Sequence, residues 1–132
     1  MENEKKASAL DLLLRPELPD VRKELPEKRV EVKRLSELTG SPAVFTLRGL
    51  TYRETRQVQD KPREEQAAYA VLCGCKDPDF RDKRLLDAGK GVATPLDAIT
   101  ARLTAGEIDE LYLEIQTLTG YLRRTLAEVK NG

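Results

Sequence analysis

The sequence has no histidine and no tryptophan, and only two cysteines and two phenylalanines among 132 residues. Without histidine, the side chain most often used as acid, base or metal ligand near neutral pH is missing, which counts against hydrolase and zinc chemistry. Cys73 and Cys75 form a Cys-x-Cys pair. With no further thiol and no imidazole, the pair cannot complete an ordinary four-ligand zinc site within one chain. A redox pair would stand as Cys-x-x-Cys at a helix start, whereas this one falls at the end of an apolar helical stretch. The expectation is two small, reduced, packed residues. Ser8, Ser36 and Ser41 sit in capping or turn contexts with no Gly-x-Ser-x-Gly elbow around them. Gly89-Lys90-Gly91 lacks the spacing of a phosphate loop. No catalytic, cofactor-binding or metal residue is assigned, and no enzyme activity is expected.

Net charge is missing as well. Lys and Arg total 23, as do Asp and Glu, so the large positive field of most nonspecific nucleic-acid binders is absent. No apolar run approaches the ~18 residues of a spanning helix. The start, MENEKK, is too polar for a secretion signal. These features predict a soluble intracellular protein with neither nucleic acid nor membrane as partner. With aromatics scarce, the core must rest on Leu, Ile, Val and Ala, a composition that favours helices.

Residues 1–6 are charged and should fray; Ser8 then caps a short turn carrying Leu10, Leu12, Leu13 and Leu14, which Arg15 and Pro16 end. Residues 16–28 hold Pro16, Pro19 and Pro26 among alternating charges and read as an extended linker. The leucine turn thus becomes a patch on a tether. It either packs back on the domain or docks on a neighbouring copy or partner. The division expected is an arm and linker over 1–28 and one α+β domain over 29–132.

Val30 and Val32 alternate with charge in a strand over 29–34, and 43–50 reads as its antiparallel mate, with turn residues between. Leu35, Leu38 and Phe45 are expected to cover one face. Thr51 with Glu54 makes a capping box for a helix at Tyr52–Gln59, and Pro62 opens the next, 63–73, the most apolar in the chain. Arg48, Arg53, Arg56, Lys61 and Arg63 alternate with Glu54, Asp60, Glu64 and Glu65, which reads as a solvated face.

Residues 77–121 carry two successive helix starts. Thr94, Pro95 and Asp97 place one at Pro95; Thr104 and Glu107 form a capping box that places the next at about Ala105. Ile108, Leu111, Tyr112, Ile115 and Leu118 follow at helical spacing, and the stripe is extended through Leu122, Leu126 and Val129. Arg81, Lys83 and Arg84 before this pair outline a helix-turn-helix, but Glu107, Asp109 and Glu110 stand where a recognition helix would meet phosphates. The fold class expected is α+β and mostly helical, a small antiparallel β-hairpin packed with about five short amphipathic helices.

Within the same stretch, about a third of the chain, stand Pro78 and Phe80, Leu85-Leu86, Gly91-Val92 before Thr94-Pro95, then Gly106-Glu107-Ile108 and Gly120-Tyr121. In their order and spacing they resemble the XkdN-like family of phage tail assembly chaperones. The likeness extends more weakly over the first half, while the turn between the two strands and the 87–91 run depart from the family pattern. The resemblance implies a protein that binds the tape measure protein, a long and partly apolar helical chain, and keeps it soluble until the tail tube polymerises around it. It also implies the host cytoplasm as location, absence from the mature virion and the tail tube protein as a further partner, and such chaperones often occur with a longer frameshifted form. A second copy is the partner that the tethered leucine arm suggests. A structural domain of the tail or baseplate is the alternative, and a small DNA-binding regulator the third reading. Partner-binding residues are placed past Gly120, where helix propensity falls, at Tyr121, Leu122, Leu126 and Val129, and on the arm at Leu12 and Leu13.

Overall fold

The computed structural model describes residues 7–130; the charged start, expected to fray, lies outside that range. In chain order the elements are α1 (Ala9–Leu13), β1 (Glu27–Glu31), α2 (Lys33–Thr39), β2 (Val44–Arg48), α3 (Tyr52–Gln59), α4 (Arg63–Gly74), β3 (Cys75–Asp77), α5 (Pro95–Thr100) and α6 (Ala105–Thr119). The chain is therefore α+β and mostly helical. Four of its helices begin at a reciprocal capping box: Ser8 with Asp11, Thr51 with Glu54, Thr94 with Asp97 and Thr104 with Glu107. In each, a hydroxyl and a carboxylate satisfy two amides that the first helical turn leaves without partners.

The sheet is antiparallel throughout, in the order β1-β2-β3. Val30 faces Phe45 and Lys28 faces Leu47 across the first pair, and Leu47 faces Cys75 across the second. Along β2, Phe45 and Leu47 are buried while the alternate residues are half-buried, so one face of the central strand lies on the helices. Charged Glu27, Lys28, Arg29 and Glu31 blunt the free edge of β1.

Several expectations change here. The sheet has a third strand, β3, beyond the two-stranded hairpin. The residues between β1 and β2 form the helix α2 rather than a turn, closed by Gly40 at φ 74°. Strand β1 begins at Glu27, inside the stretch read as linker, and ends at Glu31, because Val32 already stands at the N-cap of α2. Leu38 is 72% exposed and does not cover the sheet, whereas Leu35 packs against the core.

Helix α4 is the most buried, with Ala68, Ala70, Val71, Leu72, Cys73 and Gly74 inside. It lies against α3, α5 and α6, and α6 also reaches β2. Leu47, Val71, Ile99 and Ile115 are fully buried at the centre, each contributing about 1.5–3 kcal/mol from removal of its side chain from water. Phe45 and Phe80 meet edge to face with ring centroids 5.9 Å apart.

Two glycines set the closest approaches to α6. A Cβ on Gly74 would stand 2.7 Å from Ile115 Cδ1, and one on Gly49 would stand 2.7 Å from the Leu118 carbonyl oxygen. Beside Gly49, the Leu50 amide donates to Thr119 Oγ1 at 2.9 Å, and that hydroxyl donates to the Ile115 carbonyl at 2.6 Å. The apolar stripe of α6 stops there. Gly120 at φ 106° and Leu122 at φ 69° turn the chain out of the helix, so Leu122, Leu126 and Val129 do not extend it as expected.

Candidate interaction surfaces

Helix α1 is held by its own cap: Asp11 N donates to Ser8 Oγ at 3.1 Å and Ser8 N to Asp11 Oδ2 at 3.2 Å. None of its residues is buried, and Leu12 and Leu13 are 44% and 73% exposed. A five-residue helix has little stability of its own, so α1 presents a leucine patch that the core does not use.

The segment after α6 is the second exposed apolar surface. The Tyr121 amide donates to the Gln116 carbonyl at 2.9 Å, which closes the last turn of α6. Beyond it, Leu122, Leu126 and Val129 are 63%, 85% and 86% exposed and the backbone is irregular. Tyr121 differs from its neighbours in lining a 150 Å³ cavity with Leu50, Thr55, Val58, Tyr112 and Gln116. The tail thus leaves α6 on its α3 side. Of the six residues expected to bind a partner, two share α1 and four share the tail; none joins the core.

A third surface was not expected from the sequence. Val30 in β1, Val32 at the start of α2 and Leu111 in α6 line a groove of 380 Å³, bordered by Glu31, Lys33, Arg34, Glu107, Glu110 and Glu114. Ion pairs tie the groove together at both ends. Arg34 donates to both oxygens of Glu107 at 3.0 and 2.9 Å and to the Arg102 carbonyl at 2.8 Å. Lys28 Nζ lies 2.7 Å from Glu114 Oε1. Hydrogen bonding from Arg34 holds the Glu107 carboxyl below the usual glutamate range, and the Thr104 amide reinforces it. The sequence signal was present in the alternating valines and the α6 stripe, but the helical start of α2 brings them together.

The remaining chemistry is structural. Cys73 and Cys75 are buried free thiols; burial, with the Asp77 carboxylate beside it, pushes Cys75 up to about 12. Arg48, read as part of a solvated face, is a partly buried anchor whose guanidinium grips both Glu54 oxygens at 2.8 Å and so joins the end of β2 to the cap of α3. Burial pushes Glu54 upward, but the Arg48 and Thr51 hydrogen bonds together outweigh it and hold the group below its ordinary value. Arg56 lies over the Tyr52 ring and Lys61 over Tyr69, each at 4.6 Å. Arg84 is held by Asp82, and Arg81 donates to the Leu72 carbonyl at 3.3 Å. Paired backbone hydrogen bonds between Asp87 and Val92 close the Gly89-Lys90-Gly91 run into a tight turn. Among the described residues no helix is long and apolar enough to cross a membrane, and no group of acids and thiols has the arrangement of a metal site.

Compared with known proteins, residues 10–131 match the model of a family described as phage XkdN-like tail assembly chaperone protein. No curated protein and no solved structure matches the chain.

Proposed function

This chain belongs to the XkdN-like phage tail assembly chaperones, and from that premise we propose that it binds the tape measure protein and holds it in solution until the tail tube assembles. One observation carries the reading: the fold closes on Leu47, Val71, Ile99 and Ile115 and leaves apolar residues at both ends of the chain outside it. Leu12 and Leu13 on α1, and Tyr121, Leu122, Leu126 and Val129 in the tail, offer area to an apolar stripe on a helical client. The many Lys, Arg, Asp and Glu side chains keep such a complex soluble. No nucleotide is required, because tail tube subunits polymerising on the client compete for the same stripe and displace the chaperone. The work is done in the host cytoplasm, and the finished tail retains none of the chaperone.

Co-expression with the tape measure protein encoded nearby tests this. The unmodified protein should raise the soluble yield of the client, and a Leu122→Asp, Leu126→Asp variant should lose that effect while keeping its circular dichroism and melting temperature. Full activity in that variant moves the client site to Leu12 and Leu13. No solubilisation by the unmodified protein overturns the reading and leaves a structural part of the tail or baseplate as the role.

A further inference from the structure

The tail is written as a helix and does not form one. Leu122, Leu126 and Val129 stand at i, i+4 and i+7 among good helix formers, in the segment Tyr-Leu-Arg-Arg-Thr-Leu-Ala-Glu-Val-Lys, yet residues 121–130 are irregular and exposed. Leu122 adopts φ 69°, a left-handed conformation that costs a residue with a Cβ on the order of 1–2 kcal/mol. An isolated helix of this length is marginal in water, so a second surface must supply its stability.

We propose that this tail folds into a helix in the groove between β1, α2 and α6 of a second copy. Size and charge both match. As a helix, the span from Leu122 to Val129 is roughly 10 Å long at 1.5 Å per residue, as is the span from Glu107 to Glu114 that forms the groove wall. The groove floor is Val30, half-buried, over the core residues Val32 and Leu111, which gives the tail's apolar triad a narrow apolar strip to lie on. Of the four carboxylates on its border, Glu107 is engaged by Arg34 and Glu114 by Lys28, which leaves Glu31 and Glu110 beside Lys33, while residues 121–130 carry Arg123, Arg124 and Lys130 against Glu128 alone.

The partner is a second copy because a chain's own tail starts on the wrong side. Tyr121 lies with Tyr112, Gln116 and Thr119, whereas the groove takes Glu107, Glu110, Leu111 and Glu114. At 3.6 residues per turn these two sets occupy opposite faces of α6. Reciprocal exchange of tails between two copies closes a twofold dimer. It covers the leucines offered above to a client, so client and self-association compete for one segment.

Sedimentation of the chaperone alone separates this inference from the client reading, because no client is present. The full chain should show a monomer–dimer equilibrium in the micromolar range. Leu126→Asp, Glu110→Arg and the pair Arg123→Glu, Arg124→Glu should each weaken the dimer about tenfold or more, roughly the effect of 1.4 kcal/mol. All these positions are exposed, so circular dichroism should show each variant folded. Mixing the Glu110→Arg protein with the Arg123→Glu, Arg124→Glu protein should restore dimer, since each then meets an opposite charge. A monomer throughout the range overturns the proposal, as does a dimer that ignores these changes or one that Leu12→Asp abolishes in their place.

Discussion

Arg34, at the start of α2, grips the Glu107 carboxylate through two hydrogen bonds of 3.0 and 2.9 Å across 73 residues of sequence. The same Glu107 accepts the Thr104 amide at 2.8 Å as its half of the capping box. A local helix start and a long-range tie therefore share one carboxylate. Arg34 also reaches the Arg102 carbonyl at 2.8 Å, so its fork fixes the turn between α5 and α6.

A pH dependence follows from that sharing. The Glu107 carboxyl titrates below its ordinary value near 4.5 when folded, chiefly through Arg34. A group whose pKa is lowered by folding adds stability above its unfolded value and loses it as pH falls through the folded one. Arg34→Ala should lower the melting temperature at pH 7, and the deficit should narrow as pH falls from the ordinary glutamate value near 4.5 through the lowered value of the folded protein. It should not vanish, because the Arg102 carbonyl bond is independent of pH. Thermal melts of both proteins at pH 7, 4 and 3 measure this; a deficit that grows in acid contradicts it.

Gly49 and Gly74 should not tolerate alanine. At Gly74 the added methyl meets the side chain of fully buried Ile115, and at Gly49 it meets the Leu118 carbonyl, a backbone group. Each substitution should cost roughly 1–3 kcal/mol, the range for overpacking. Gly49→Ala should be the worse of the two, since a backbone cannot change rotamer. Urea midpoints at constant slope report the difference.

Cys75 should behave as an inert thiol. With its pKa pushed up to about 12 by burial, its thiolate fraction at pH 8 is lower than that of an ordinary cysteine by on the order of a thousandfold. Alkylation by iodoacetamide at pH 8 should be slow in the folded protein and complete within minutes in urea. Rapid labelling of Cys75 under native conditions would show that the end of α4 opens readily.

The helix starts were legible in the sequence because a capping box is written within four residues. Thr51, Thr94 and Thr104 each specify the amide they bind, and α3, α5 and α6 begin where those threonines place them. Helix α2 was hidden for the complementary reason. Its Ser36 and Thr39 look like turn residues, but their hydroxyls donate to the Val32 and Leu35 carbonyls one turn back, leaving the helix intact. Strand β3 is three residues long and exists through its pairing with β2, so no local period announces it. The candidate surfaces divide in the same way. Leu118 and Leu122 are four residues apart and identical in type, and it is the φ of Gly120 that puts one against the core and the other in water. The groove could not be read from any one stretch, since its floor joins Val30 and Val32 to Leu111.

The bond from the Leu50 amide to the Thr119 hydroxyl also orders events during synthesis. Strand β2 and the residues just after it bring Leu47 and Leu50 into a core whose other wall is α6, and α6 is made after every other element of that core. A nascent chain therefore carries its leucine arm in the open while most of the domain is still being translated. The core can close only after Thr119 has left the ribosome. Contacts that span so much of the sequence must wait for the chain between them, and exposed apolar segments on unfinished chains are where association with other molecules begins. On the proposed function, in which the chaperone covers apolar surface on another chain, the arm is ready before the domain behind it exists.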